Sequence, residues 1–126
     1  MKEHFKRIAK ISFLACLIFI GTLILASQEV KGYKVEYYSN VDKIEVNKVL
    51  EFYNLSNYGI KKMVFKHTPK TTFRGLYTLG DVIIINTAYL DYNTTLRHEL
   101  GHAVCWKRYK YLGHNETFRK CVEEVK

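Results

Sequence analysis

Two histidines four residues apart, flanking a glutamate, constrain this chain more than any other feature in it. His98-Glu99-Leu100-Gly101-His102 makes chemical sense only on a helix. One turn is 3.6 residues, so both imidazoles then leave one face, one above the other. That spacing suits two nitrogen ligands on a tetrahedral zinc ion. Glu99, next to His98, can reach the open fourth position. There it would take a proton from a zinc-activated water and later hand it to a leaving amine. The flanks support the helix. Leu96, Leu100 and Val104 fall at i, i+4 and i+8 and form one apolar stripe. Asn93 can cap it, and Gly113 lies beyond its expected end near Tyr109 or Tyr111.

A catalytic zinc takes three protein ligands. His114, twelve residues after His102, is the favoured third, because imidazole is a common zinc ligand and this one sits at a turn. Glu123 or Glu124 on the last helix is the alternative, giving a two-His, one-Glu set. Tyr77, Tyr109, Tyr111 and Arg119 are conceivable donors to an oxyanion, with none preferred. His67 reads as a surface-turn residue.

The rest of the body, residues 41–126, reads as one α+β domain. Asp42 and Glu45 open a helix whose apolar residues Ile44, Val46, Val49, Leu50 and Tyr53 recur at helical spacing, up to Asn57-Tyr58-Gly59. Residues 61–67 and 72–78 read as strands, and Val82-Ile83-Ile84-Ile85 as a third. These predict a small, mainly antiparallel, three-stranded sheet. Asn115 can cap a last helix with Phe118, Val122 and Val125 on its apolar face.

The N-terminus reads as an address. Lys2, Lys6, Arg7 and Lys10 precede an uncharged run from Ile11 to Ala26. The run falls between the ordinary lengths of a secretory signal and of a spanning helix. An uncleaved hydrophobic anchor helix is favoured over a cleaved signal, with residues 1–27 outside the fold and residues 28–40 a linker. Positive residues stay in the cytoplasm, so the body is expected outside the cytoplasmic membrane or secreted. The formal net charge of +8 carries no block of like charges, which fits a solvated basic surface. No C-x-x-C pair occurs among the three cysteines. Cys105 and Cys121 are expected either to pair after export or to remain two small buried thiols.

From Gly80 to Val125 the chain resembles the SprT-like, minimal gluzincin branch of the zincin metallopeptidases. The resemblance rests on three pieces: Gly80-Asp81-Val82-Ile83-Ile84-Ile85-Asn86, His98-Glu99-Leu100-Gly101-His102-Ala103 and Gly113-His114-Asn115-Glu116-Thr117-Phe118. Asn115 stands where the family usually has Gly, and Asn tolerates a positive φ. The resemblance implies a zincin-like fold, zinc on His98, His102 and His114, and Glu99 as general base. It also implies an extended peptide or protein substrate pairing with the edge of the strand before the active helix. The expected function is therefore a zinc-dependent endopeptidase. A zinc-stabilised, non-catalytic binding module is one alternative. An intracellular DNA-associated protease is the other, though the leader and the lack of a C-x-x-C zinc ribbon argue against nucleic acid as a partner.

Overall fold

Side chains alternate across a strand, so register decides which residues of a sheet meet in the core. A computed structural model describes residues 24–30, 32–38 and 40–126. Five strands make one sheet in the order β1-β2-β3-β5-β4. They are β1 (Ile24–Val30), β2 (Tyr33–Tyr38), β3 (Lys62–Lys66), β4 (Gly75–Thr78) and β5 (Val82–Asn86). Val35, Met63 and Ile83 share one row, and Tyr37, Phe65 and Ile85 the next. All six are 0–1% exposed. On the opposite parity, buried Glu36 is held by Lys62 at 3.0 Å and Lys34 at 3.5 Å.

Three helices complete the fold: α1 (Lys43–Leu50), α2 (Tyr92–Tyr109) and α3 (Glu116–Glu123). Asp42 caps α1 by accepting from the amides of Ile44 and Glu45. Asn115 caps α3 in the same way, accepting from Thr117 and Phe118. Leu96, Leu100 and Ala103 of α2 join Val46 and Leu50 of α1 in the core over the two sheet rows. Each fully buried leucine contributes roughly 1.5–3 kcal/mol over its exposed state. Fixing α2 to the sheet therefore fixes its opposite face, which carries the two histidines.

The α+β class holds, but the sheet differs from expectation. It is mixed: β2 is parallel to β3 and β3 to β5, while β1–β2 and β4–β5 are antiparallel. Residues 28–40, expected as a linker, contain the last three residues of β1 and all of β2. The boundary at residue 27 also moves, because β1 starts at Ile24, inside the apolar run. The hydrophobic helix expected before it lies outside the described residues. Among the described residues no helix is long and apolar enough to cross a membrane. The first helix stops at Leu50, and a separate 3-10 turn (Leu55–Tyr58) precedes Gly59, whose φ of 66° explains the glycine there. The cap of α2 is Asp91, while Asn93 instead accepts a hydrogen bond from Tyr53 Oη.

Candidate metal centre

Helical spacing brings His98 and His102 together on α2, and the chain between α2 and α3 returns His114 to them. The three Nε2 atoms form a triangle with sides of 3.0, 3.2 and 3.2 Å. A ring nitrogen offers one in-plane direction, so three atoms facing one another cannot all be satisfied by mutual N–H···N bonds. Three such nitrogens could instead share one cation. Nitrogens about 2.0–2.1 Å from one ion at tetrahedral angles stand roughly 3.3 Å apart, close to the observed triangle. The three histidines could therefore hold a metal ion. Nδ1 of His102 is buried without a hydrogen-bond partner, which leaves Nε2 as the only atom offsetting the burial of that ring.

Electrostatics favours the form of these rings that binds a cation. Burial, then the neighbouring His98 and His114, pushes the His102 pKa down to about 4. Burial and His114 lower that of His98 as well. Neutral imidazoles are the ligand form. Glu99 is 7% exposed, and burial pushes its carboxyl up to about 7, opposed by a hydrogen bond from the Tyr77 amide.

That amide belongs to β4, which forms the edge of the sheet beside α2. Asn86 N–H donates to Arg74 O at 2.9 Å, so Arg74 faces β5. In an antiparallel ladder the next outward-facing residues are then Gly75 and Tyr77. The strand before α2, β5, which the resemblance implies as the edge, is interior; among the described residues the edge is β4. A Cβ on Gly75 would stand 2.7 Å from Thr95 Cγ2, which explains glycine where β4 meets α2.

Two contributions escape a reading of the sequence. The Phe118 ring packs against all three imidazoles, with centroids 4.8, 4.4 and 5.0 Å from His98, His102 and His114. Gly101 lets α3 approach α2: a Cβ there would stand 2.5 Å from Val122 Cγ2 and 3.3 Å from Phe118 Cε2. Glycine within a helix motif is the available signal for such a close approach. Asn115 has φ −88°, so its difference from the resembled motif carries no backbone penalty here. Cys105 and Cys121 form a disulfide between α2 and α3.

Other expected residues lie elsewhere. Glu123 pairs with Arg119 at 2.8 Å and Glu124 with Arg108, and neither belongs to the histidine cluster. Tyr77 Oη donates to Asp81. Tyr109 and Tyr111 line a groove beside the disulfide. Arg119 alone of the oxyanion candidates lines the groove of about 550 Å³ that opens at His98 and His114, along with Val122 and Glu123. His67 stays at the surface, its Nδ1 3.4 Å from Thr87 Oγ1.

No family model, curated protein or solved structure matches this chain in comparisons with known proteins.

Proposed function

We propose that the protein is a zinc-dependent endopeptidase of zincin type that works outside the cytoplasmic membrane. The observation that carries this reading is the triangle of Nε2 atoms with a buried Glu99 on the same helix. An all-imidazole set of tetrahedral spacing suits zinc among the common divalent ions. Zinc, when bound, supplies Lewis acidity that polarises a carbonyl and makes water a nucleophile near neutral pH.

This chain's own residues supply the rest. His98, His102 and His114 are the ligands. Glu99 accepts a proton from the attacking water and gives it to the departing amine, and a carboxyl poised near 7 can do both. The outward main-chain groups of Gly75 and the outward carbonyl of Tyr77, whose amide is held by Glu99, offer an extended peptide an edge to pair with. The resemblance to SprT-like zincins supports the same roles. The disulfide supports the compartment, since such bonds persist mainly in oxidising surroundings.

The test is a peptide-library digest with measured zinc content, using Glu99→Gln as control. The expected result is stoichiometric zinc in both proteins and cleavage by the wild type alone. Folded protein without zinc would sink the proposal. Zinc without Glu99-dependent cleavage would favour the second reading, a zinc-stabilised binding module. A purely structural site would have no use for a buried carboxyl next to a ligand on the same helix, which is why the enzyme reading ranks first.

A further inference from the structure

We infer that the Cys105–Cys121 disulfide positions the third ligand, so that full metal affinity at His98, His102 and His114 exists only in the oxidised protein. The inference rests on the metal-site part of the reading above and not on catalysis.

His98 and His102 need no such help. Their helix is fixed by Leu96, Leu100 and Ala103, each 0% exposed in the main core. His114 belongs to no element. It lies between Tyr109, the last residue of α2, and Glu116, the first of α3. Its ring is exposed, and its described hydrogen bonds reach only the two other imidazoles. With Asn115 capping α3, the position of His114 is the position of the α3 N-terminus.

The buried residues that place α3 form a small cluster separate from the main core, Cys105, Phe118 and Cys121, with Val104, Tyr111 and Val122 partly buried against it. Two of the three buried residues are the crosslinked cysteines, and the third is the ring that touches every imidazole. Cys105 follows His102 by three residues on α2, one turn along the same helix. Val125 anchors the chain beyond α3 in the main core, but it lies at the end remote from His114. Opening the crosslink leaves Phe118 as the one buried contact of α3 itself, while the chain beyond its far end stays tethered through Val125. Apparent affinity scales with the fraction of molecules holding the ligand in place, so a ligand docked in about 1–10% of molecules weakens binding about 10–100-fold.

The chemistry balances simply. Two thiols become one disulfide, losing two protons and two electrons, which a disulfide oxidant takes up as it becomes two thiols. Both cysteines are buried, at 0% and 2% exposure, so attacking thiolates are shut out after folding. The redox state is set as the chain folds, in the compartment where it folds. A chain folding among reducing thiols keeps a two-ligand site, and one folding among disulfide oxidants gains the third ligand.

The test is zinc affinity, by competition with a chromophoric chelator, on the full oxidised chain and on Cys105→Ala/Cys121→Ala. The pair is made in the wild-type and the His114→Ala backgrounds. The expected loss is about 10–100-fold in the first background and under about 3-fold in the second. Unchanged affinity in the wild-type background overturns the inference. So does an equal loss in both backgrounds, which would make the crosslink a general support. If the alanine pair does not fold by circular dichroism, wild-type chain refolded in a phosphine reductant replaces it. Failure of both to fold also overturns the inference, because the bond then holds the domain and not the ligand. Absence of zinc from the oxidised wild type removes the metal reading itself. Zinc binding without Glu99-dependent cleavage removes only the peptidase reading.

Discussion

The two helices that build the histidine cluster are held by different means. α2 lies on two full rows of the sheet and buries Leu96, Leu100 and Ala103 completely. α3 buries only Phe118 and Cys121, against α2 itself. His98, Glu99 and His102 therefore sit on a helix fixed by the core, while His114 rides on a satellite. A site split in this way can lose metal without losing its fold. The largest expected effect tests that split. Structural zinc is bound with about 10–16 kcal/mol, roughly 3–4 kcal/mol for each ligand. His114→Ala should then weaken zinc binding about 10²–10³-fold and leave the metal-free melting temperature unchanged. His102→Ala should lose as much affinity and also shift that melting temperature, because His102 is 8% exposed whereas His114 is exposed. Equal melting shifts for the two variants would refute the division.

A core substitution probes the other side. Leu100 sits between His98 and His102 in sequence but faces the core, away from the histidine cluster. Leu100→Ala should cost about 2–4 kcal/mol of global stability through the cavity it leaves. Denaturation followed by circular dichroism should show one cooperative shift, with the α2 and sheet signals moving together. Zinc stoichiometry at low denaturant should stay at one per chain. A local loss of zinc with unshifted unfolding would place Leu100 on the wrong side of the comparison.

The same division decides how much of the molecule was legible in the sequence. Helical periodicity gives α2 and its two imidazoles, because i, i+4 spacing is a local property. Val82-Ile83-Ile84-Ile85 was legible as a strand for the same reason. β2 carried a signal that polar composition masked: Tyr33, Val35 and Tyr37 alternate with Lys34 and Glu36. Strand order was not legible. β3 and β5 are parallel neighbours with β4 on the outside, an arrangement set by how loops cross and not by local pattern. That is why local pattern does not reveal that β4, and not β5, lies at the edge among the described residues. The roles of Phe118 and Gly101 were hidden too, since each depends on where α3 lands. The disulfide stood open between two expectations, because pairing requires two cysteines brought together in space.

Gly101 is the point where the two regions touch, so it offers a smaller, more local perturbation. An added Cβ would overlap Val122 Cγ2 at 2.5 Å and crowd Val122 Cα at 3.3 Å. Part of that contact is backbone-attached and cannot rotate away. Alanine favours the helix by up to about 1 kcal/mol over glycine, so the clash must outweigh a gain. Gly101→Ala should cost about 1–3 kcal/mol of docking between α3 and α2. Amide exchange should rise in α3 and stay protected in β3 and β5. Zinc affinity should fall with it. Uniform exchange across both regions would show that the helices are one unit.

The smallest effect concerns acid, and it comes from two buried groups with opposite signs. In the metal-free protein the His102 pKa is down at about 4, mainly from burial, then from His98 and His114. The unfolded chain binds that proton nearer 6.5, so this group makes stability fall as pH drops from 6.5 toward 4. Glu99 works the other way. Burial raises it to about 7, against the Tyr77 amide, so its folded state holds a proton that the unfolded state has lost. Its contribution is fully present below about 4.5 and is lost as pH rises through 7. The two slopes oppose each other between 4.5 and 6.5, and the metal-free wild type should be nearly flat there. Glu99→Gln removes one slope. Its metal-free form should lose on the order of 1–2 kcal/mol between pH 6.5 and 4.5, an amount limited because opening α3 rehydrates His102 before the whole domain unfolds. Urea unfolding of both proteins at a series of pH values in a chelator measures this. Matching profiles would mean that His102 is rehydrated without α3 moving, and the satellite would then not be what keeps that ring dry.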